Sequence, residues 1–184
     1  MRTLLLSPAL LMSTLALAEN PSSNAPEPGV WQKHEYTFAF LGFTTTYSCD
    51  GLADKLKLLL TTAGARKDSK ARPGACAAGL GRPDKFARAY LTFYTLAPTE
   101  PGKPNDGVLA AGVWRDVAFS DRKPLELDAG DCELVDQFRS QVLPMFTTRN
   151  LKNRTTCIPH QNSGSIDLKF ESFAPPQRRT RDGK

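Results

Sequence analysis

Two Gly-Val-Trp triplets, each standing the same distance before a cysteine, restrict this chain more than any other feature. Seventeen residues separate Trp31 from Cys49, and seventeen separate Trp114 from Cys132. Each of these cysteines opens a stretch with helical spacing, and each stretch leads to a second cysteine, Cys76 or Cys157. Equal spacing of this kind reads as one module written twice.

The first copy runs strand, helix, strand, strand. Glu35 to Phe43 is aromatic and β-branched enough for a strand. Counting on from Cys49, the apolar residues Leu52, Leu56, Leu59, Leu60 and Ala63 recur every three or four positions, as one face of a helix requires. Ser48 is placed to cap its start, and Gly64 to end it. A polar strand is expected over Arg66 to Ala75, then a strong one from Phe86 to Leu96. The second copy follows the same order. Val113 to Phe119 reads as a strand, with Leu125 to Leu127 as an extension. Asp131 is placed as the cap of a helix from Cys132, and Val135, Val142, Leu143 and Phe146 repeat the offsets of the first copy. Pro144 lacks an N–H and distorts the last turn. Polar Arg149 to Thr156 and alternating Ile166 to Phe173 complete the set. The expected fold is α+β: two tandem βαββ repeats related by pseudo-twofold symmetry, an antiparallel sheet with two helices on one face. A half of roughly 70 residues buries too little apolar surface to stand alone, so the halves are expected to share one core.

The ends of the chain lie outside this plan. Arg2, the apolar run Leu4 to Leu17 and Ala16-Leu17-Ala18 have the pattern of a secretory leader, 1–18, cleaved before Glu19. Residues 19–29 read as a flexible linker. The domain is expected at 30–174, with repeat 1 at 30–97, a connector at 98–111 and repeat 2 at 112–174. Residues 175–184 read as a disordered basic tail. No later apolar run is long enough to cross a membrane as a helix. A periplasmic or secreted location follows, and with it an oxidising environment for the cysteines.

Charge then bounds the partners. The whole chain carries 24 basic and 19 acidic residues. Arg2 leaves with the leader, and the tail holds Arg178, Arg179, Arg181 and Lys184 against Asp182, so the folded part is near +1. Nucleic acid is not expected on that balance, and any attraction to anions must be local. The local candidates are the strands after each helix: Arg66, Lys67, Lys70 and Arg72 in the first half, Arg149, Lys152 and Arg154 in the second. They suit an anionic envelope polymer or a protein partner. The competing use of such residues is to keep edge strands from pairing with other chains.

Geometry favours bridges within each half. A helix from Cys49 to Ala63 runs out about 22 Å, and the following strand returns far enough to bring Cys76 back to Cys49. The same holds for Cys132 and Cys157, each bridge being worth roughly 3–4 kcal/mol in the chain-entropy model. A thiol at the first helical position can instead become a nucleophile. Asp50 and Glu133 follow directly and oppose a thiolate, and no Cys-x-x-Cys is present. His34 and His160 are far apart and no close Cys/His spacing exists, so no metal, cofactor or catalytic residue is assigned. Trp31 and Trp114 are expected as core anchors. The leading expectation is an exported, non-enzymatic binding or structural module. The alternatives are a thiol-redox or hydrolytic enzyme, or an inhibitor of a secreted enzyme.

Overall fold

The computed structural model describes residues 25–74, 82–100, 102, 107–158 and 164–176. Along them lie β1 (Glu27–Leu41), α1 (Cys49–Ala63), β2 (Lys70–Pro73), β3 (Phe86–Pro98), β4 (Leu109–Ser120), α2 (Cys132–Gln141), β5 (Thr148–Asn153), β6 (Thr156–Cys157), β7 (Gly164–Ser165) and β8 (Asp167–Ala174). Six strands form one sheet in the order β2-β3-β1-β4-β8-β5, and β6 pairs with β7 alone. Every pairing is antiparallel, and the class is α+β.

Helix α1 spans the expected residues. The Ser48 side chain accepts the Gly51 N–H at 3.1 Å. At the other end Gly64 takes φ 109°, a left-handed conformation that glycine adopts without steric cost. The chain then folds back, with the Ala65 N–H on Leu60 O at 2.9 Å. Leu52, Leu56, Leu59, Leu60 and Ala63 are fully buried, each large side chain contributing about 1.5–3 kcal/mol by leaving water.

Helix α2 is shorter. It stops at Gln141, and a 3-10 turn over Leu143–Met145 replaces its last turn, where Pro144 cannot continue the ladder. Val142, Leu143 and Phe146 still reach the core. Asp131 stands at the N-cap position of α2 as expected, but its side chain makes no bond to the start of the helix. A 3-10 turn at Ala129–Asp131 comes first, and Asp128 caps that, taking the Gly130 N–H at 2.8 Å.

The strands depart from expectation at their ends. β1 begins at Glu27 and includes three residues expected in the linker, because Glu27 to Val30 pair with β4. The polar strand after α1 contracts to Lys70–Pro73, preceded by a turn in which the Ser69 N–H meets Arg66 O at 3.0 Å. Leu125 to Leu127 do not extend β4. That segment closes a turn in which the Arg122 N–H bonds Leu127 O at 2.8 Å.

Inward-facing Phe38, Phe40, Leu91, Phe93, Phe119 and Phe170 meet Leu56, Leu60, Leu134, Val135 and Phe138 of the helices in one continuous core. The sheet joins at its centre through few residues. β1 and β4 pair from Glu27↔Gly112 to Val30↔Leu109, and the Trp31 N–H adds a bond to Val108 O at 3.0 Å. Beyond this seam each strand overhangs the other. On the overhang of β1, Gln137 of α2 bonds both the N–H and the C=O of Leu41, at 3.0 and 2.8 Å, and Gln141 bonds Ala39 O at 3.2 Å.

Candidate functional site

The cysteines cross-link the scaffold. Cys132 and Cys157 are bonded, with their Cα atoms 5.6 Å apart, and tie the start of α2 to β6. Cys132 is buried. Cys49 is also disulfide-bonded. Cys76, its expected partner, lies outside the described residues.

A polar cluster sits between the two helix starts. The buried Asp131 carboxylate accepts the Tyr47 hydroxyl at 2.5 Å, the Lys55 ammonium at 2.7 Å and the Asp128 N–H at 3.0 Å. Lys55 donates also to Glu126 O. Burial, and then the Asp131 charge, push the Tyr47 pKa well up, so the hydroxyl stays protonated and donates. Nearby, Glu133 accepts the N–H groups of Phe43, Thr44 and Thr45 at 3.0–3.4 Å. These groups satisfy one another across the two halves, which is the arrangement of a clamp. His34 is half-buried, stacked on Phe93 at 5.0 Å, with Nε2 2.8 Å from Thr95 Oγ1. Thr95 Oγ1 donates to Met145 O at 3.1 Å, so the imidazole N–H is the donor to Thr95. Burial holds the His34 pKa below its ordinary value. His160 lies outside the described residues. Among the described residues no group of three His, Cys, Asp or Glu side chains is arranged to hold a metal.

The remaining chemistry lies on the sheet face away from the helices. The two tryptophans are here, half-exposed, which corrects their expected place in the core. Trp31 stands opposite Leu96 and Trp114 opposite Phe173, so each ring covers a buried neighbour across the strand pair. Each also carries an arginine. The Arg66 guanidinium lies 5.5 Å from the Trp31 ring and 3.6 Å from that of Tyr94, and Arg149 lies 4.1 Å from Trp114. Such contacts contribute roughly 0.5–1 kcal/mol at exposed sites. Both arginines are also paired: Arg66 with Asp68 at 2.6 Å, Arg149 with Glu171 at 2.6 Å. Those partners hold the carboxyl pKa values down, for Asp68 through the Arg66 bond and for Glu171 through Asn150 and then Arg149.

The expected basic strands are the two outer strands of the sheet. Five strand spacings put them about 24 Å apart, so they do not converge on one small ligand. Their surroundings differ. In the second half Lys152 faces Lys169, which is paired with Asp167 at 2.8 Å, and Arg154 lies near the same carboxylate. The outer face there holds Arg149, Lys152, Arg154 and Lys169 against Asp116, Asp167 and Glu171, a balance of +1. In the first half Lys67 is exposed in the turn, while Lys70 and Arg72 point outward from β2, opposite Thr92 and Tyr90 of β3. Arg88 is next along β3 on the same side. The outer face of this half holds Lys33, Arg66, Lys70, Arg72 and Arg88 against Glu35 and Asp68, a balance of +3. Lys33 is tied to Glu35 at 2.5 Å; Arg72 lies near Glu35 and Lys70 near Asp68, but Lys70, Arg72 and Arg88 form no ion pair among the described residues.

Tyr90 stands among these three cations, 47% exposed. Arg72 is directly across from it, and the diagonal neighbours lie about 7–8 Å away. Arg88 and Tyr90 are the functional candidates that charge counting along the helix-following strands passes over. The signal for them is the alternation Phe86-Ala87-Arg88-Ala89-Tyr90-Leu91, which sends the small and aliphatic residues inward and the large polar ones out. Comparison with protein-family models, curated proteins and solved structures finds no match to this chain.

Proposed function

We propose that this is an exported, non-enzymatic binding module that holds an anionic partner on the outer face of β2-β3-β1. The observation that carries the reading is the set Lys70, Arg72 and Arg88, exposed, in no ion pair among the described residues and arrayed around Tyr90 on the sheet. A guanidinium not held in an ion pair is available for bidentate contact with phosphate or carboxylate, and an exposed ring adds a flat apolar contact. The arginines over Trp31 and Trp114 are occupied, so they stiffen the face rather than serve it.

The test is titration of the chain from Glu19 onward against a soluble polyanion, with an uncharged polymer as control. Replacing Lys70, Arg72 and Arg88 together by Gln should weaken binding about 5- to 150-fold at low salt, taking a few tenths to one kcal/mol per surface contact. The parent affinity should fall steeply as salt rises. Unchanged affinity in the triple variant, or salt-independent binding, refutes the reading. Export itself is tested by sequencing the N-terminus of the cell-envelope form, which should begin near Glu19.

We infer also that the halves descend from one βαββ unit. In support, β1-β3-β2 and β4-β8-β5 follow the same order outward from the seam. Val30↔Ala97 and Trp31↔Leu96 correspond to Val113↔Ala174 and Trp114↔Phe173, and Pro28↔Ala111 lies at the centre of the exchange. An experimental structure whose strands, once superposed, leave Trp31 and Trp114 on different faces would overturn it.

A further inference from the structure

We propose that one end of this face, formed by Leu41, Phe43 and Phe86, docks onto an anionic lipid bilayer. This rests on the anion-binding reading above and names its partner.

Three large apolar side chains are left in water at one end of the first half-sheet. Leu41 and Phe86 stand directly opposite each other in β1 and β3, 46% and 60% exposed. Phe43 follows two residues after Leu41, 56% exposed, and lines the same groove beside α2. Their neighbours on the inner face, Phe40 and Ala87, are buried, so the exposure belongs to the outer side alone. An exposed Leu by itself needs no explanation, but contiguous apolar residues rimmed by polar ones mark a contact surface.

Charge identifies the occupant. Moving along β3 from this tip, the outer face shows Phe86, then Arg88, then Tyr90 with Arg72 beside it, then Thr92 with Lys70 beside it. Apolar side chains at the tip, with arginine and tyrosine one step back, match the layering of a bilayer surface. Hydrocarbon lies deepest, and phosphate with the amphipathic ring belt lies above it. The long arginine stems can cover apolar surface while their heads meet phosphate. Three carboxylates lie near the tip: on the α2 side Glu133 accepts three backbone N–H groups and Asp136 pairs with Arg139 at 2.9 Å, and Asp84 accepts the Phe86 N–H at 3.2 Å, so the positive charge that meets a bilayer is on the β3-β2 side. The outer face behind the apolar tip, with its balance of +3, complements an anionic membrane and would repel a cationic one.

The experiment is co-sedimentation with phosphatidylcholine vesicles, with and without phosphatidylglycerol. The chain from Glu19 onward is used, because the apolar leader would bind lipid by itself, and every described element lies after it. Binding is expected only to the anionic vesicles. Leu41→Ser with Phe86→Ser should weaken it about tenfold or more, since both side chains lose their transfer into hydrocarbon. Phe86→Ser alone should give a smaller loss in the same direction. Retained binding to the soluble polyanion shows that these variants are folded. Two results overturn the proposal. One is undiminished vesicle binding by the double variant. The other is polyanion binding through Lys70, Arg72 and Arg88 with no vesicle binding by the parent, which leaves the anionic-partner reading standing and removes the membrane.

Discussion

Gly112→Ala is the sharpest test of how the seam is packed. A methyl group at this position would lie 2.3 Å from Phe173 Cζ, 2.4 Å from its Cε1 and 2.8 Å from Leu96 Cδ2. The Phe173 ring cannot swing clear, since it is 2% exposed and lies against Trp114 with centroids 5.5 Å apart. Overpacking of this kind costs typically 1–3 kcal/mol. The loss of chain entropy in the unfolded state returns about 0.4–1 kcal/mol. The net is a destabilisation of roughly 1–2 kcal/mol, or about 2–8 °C in melting temperature for a chain of this size. Guanidinium unfolding followed by circular dichroism should show a lower midpoint with an unchanged slope. Trimming the ring should relieve the clash, so Gly112→Ala combined with Phe173→Leu should cost about 1 kcal/mol less than the sum of the single changes. A Gly112→Ala protein as stable as the parent, or strict additivity in the cycle, would show that Leu96 and Phe173 do not close over the glycine.

Two further outcomes follow from the interior. Asp131→Asn leaves the Lys55 ammonium without its carboxylate in a mostly buried site, and should cost about 3 kcal/mol, near the low end for a broken buried pair; a loss below half that in thermal unfolding would mean that water replaces the partner. His34 has a folded-state pKa depressed by burial, so the unfolded chain takes up its proton first as pH falls. Stability should therefore drop on acidification from about pH 6.5 down to the folded pKa and level off below it, and His34→Gln should remove that component; an unchanged pH profile in the variant would sink the assignment.

Local signals carried much of the fold. Helix α1 is readable to the residue because Ser48, the spacing of Leu52 to Ala63 and Gly64 all report on backbone within a few positions. The break at Pro144 is readable for the same reason: a missing N–H acts locally. What sequence could not show was decided across the sheet. Asp131 stands where a cap belongs, yet Tyr47 and Lys55, distant in the chain, draw its carboxylate inward. Trp31 and Trp114 have the composition of core residues, but strand parity puts them on the far face, where Leu96 and Phe173 use them as covers. In the basic strands, sign and spacing were visible while pairing was not. Asp68 and Glu171 neutralise Arg66 and Arg149, and Arg88 and Tyr90 join Arg72 only through the register of β2 with β3.

The amides of Gln137 and Gln141 have a consequence for how this molecule behaves in company. Gln137 presents an oxygen and an NH2 group to Leu41 at the rim of β1, much as a neighbouring peptide bond would, and Gln141 adds its NH2 group to Ala39 O. A foreign chain seeking to extend the sheet at Leu41 finds those valences already spent. Helix α2 thus acts as a plug against runaway stacking, at the place where exposed Leu41 and Phe43 would otherwise invite it.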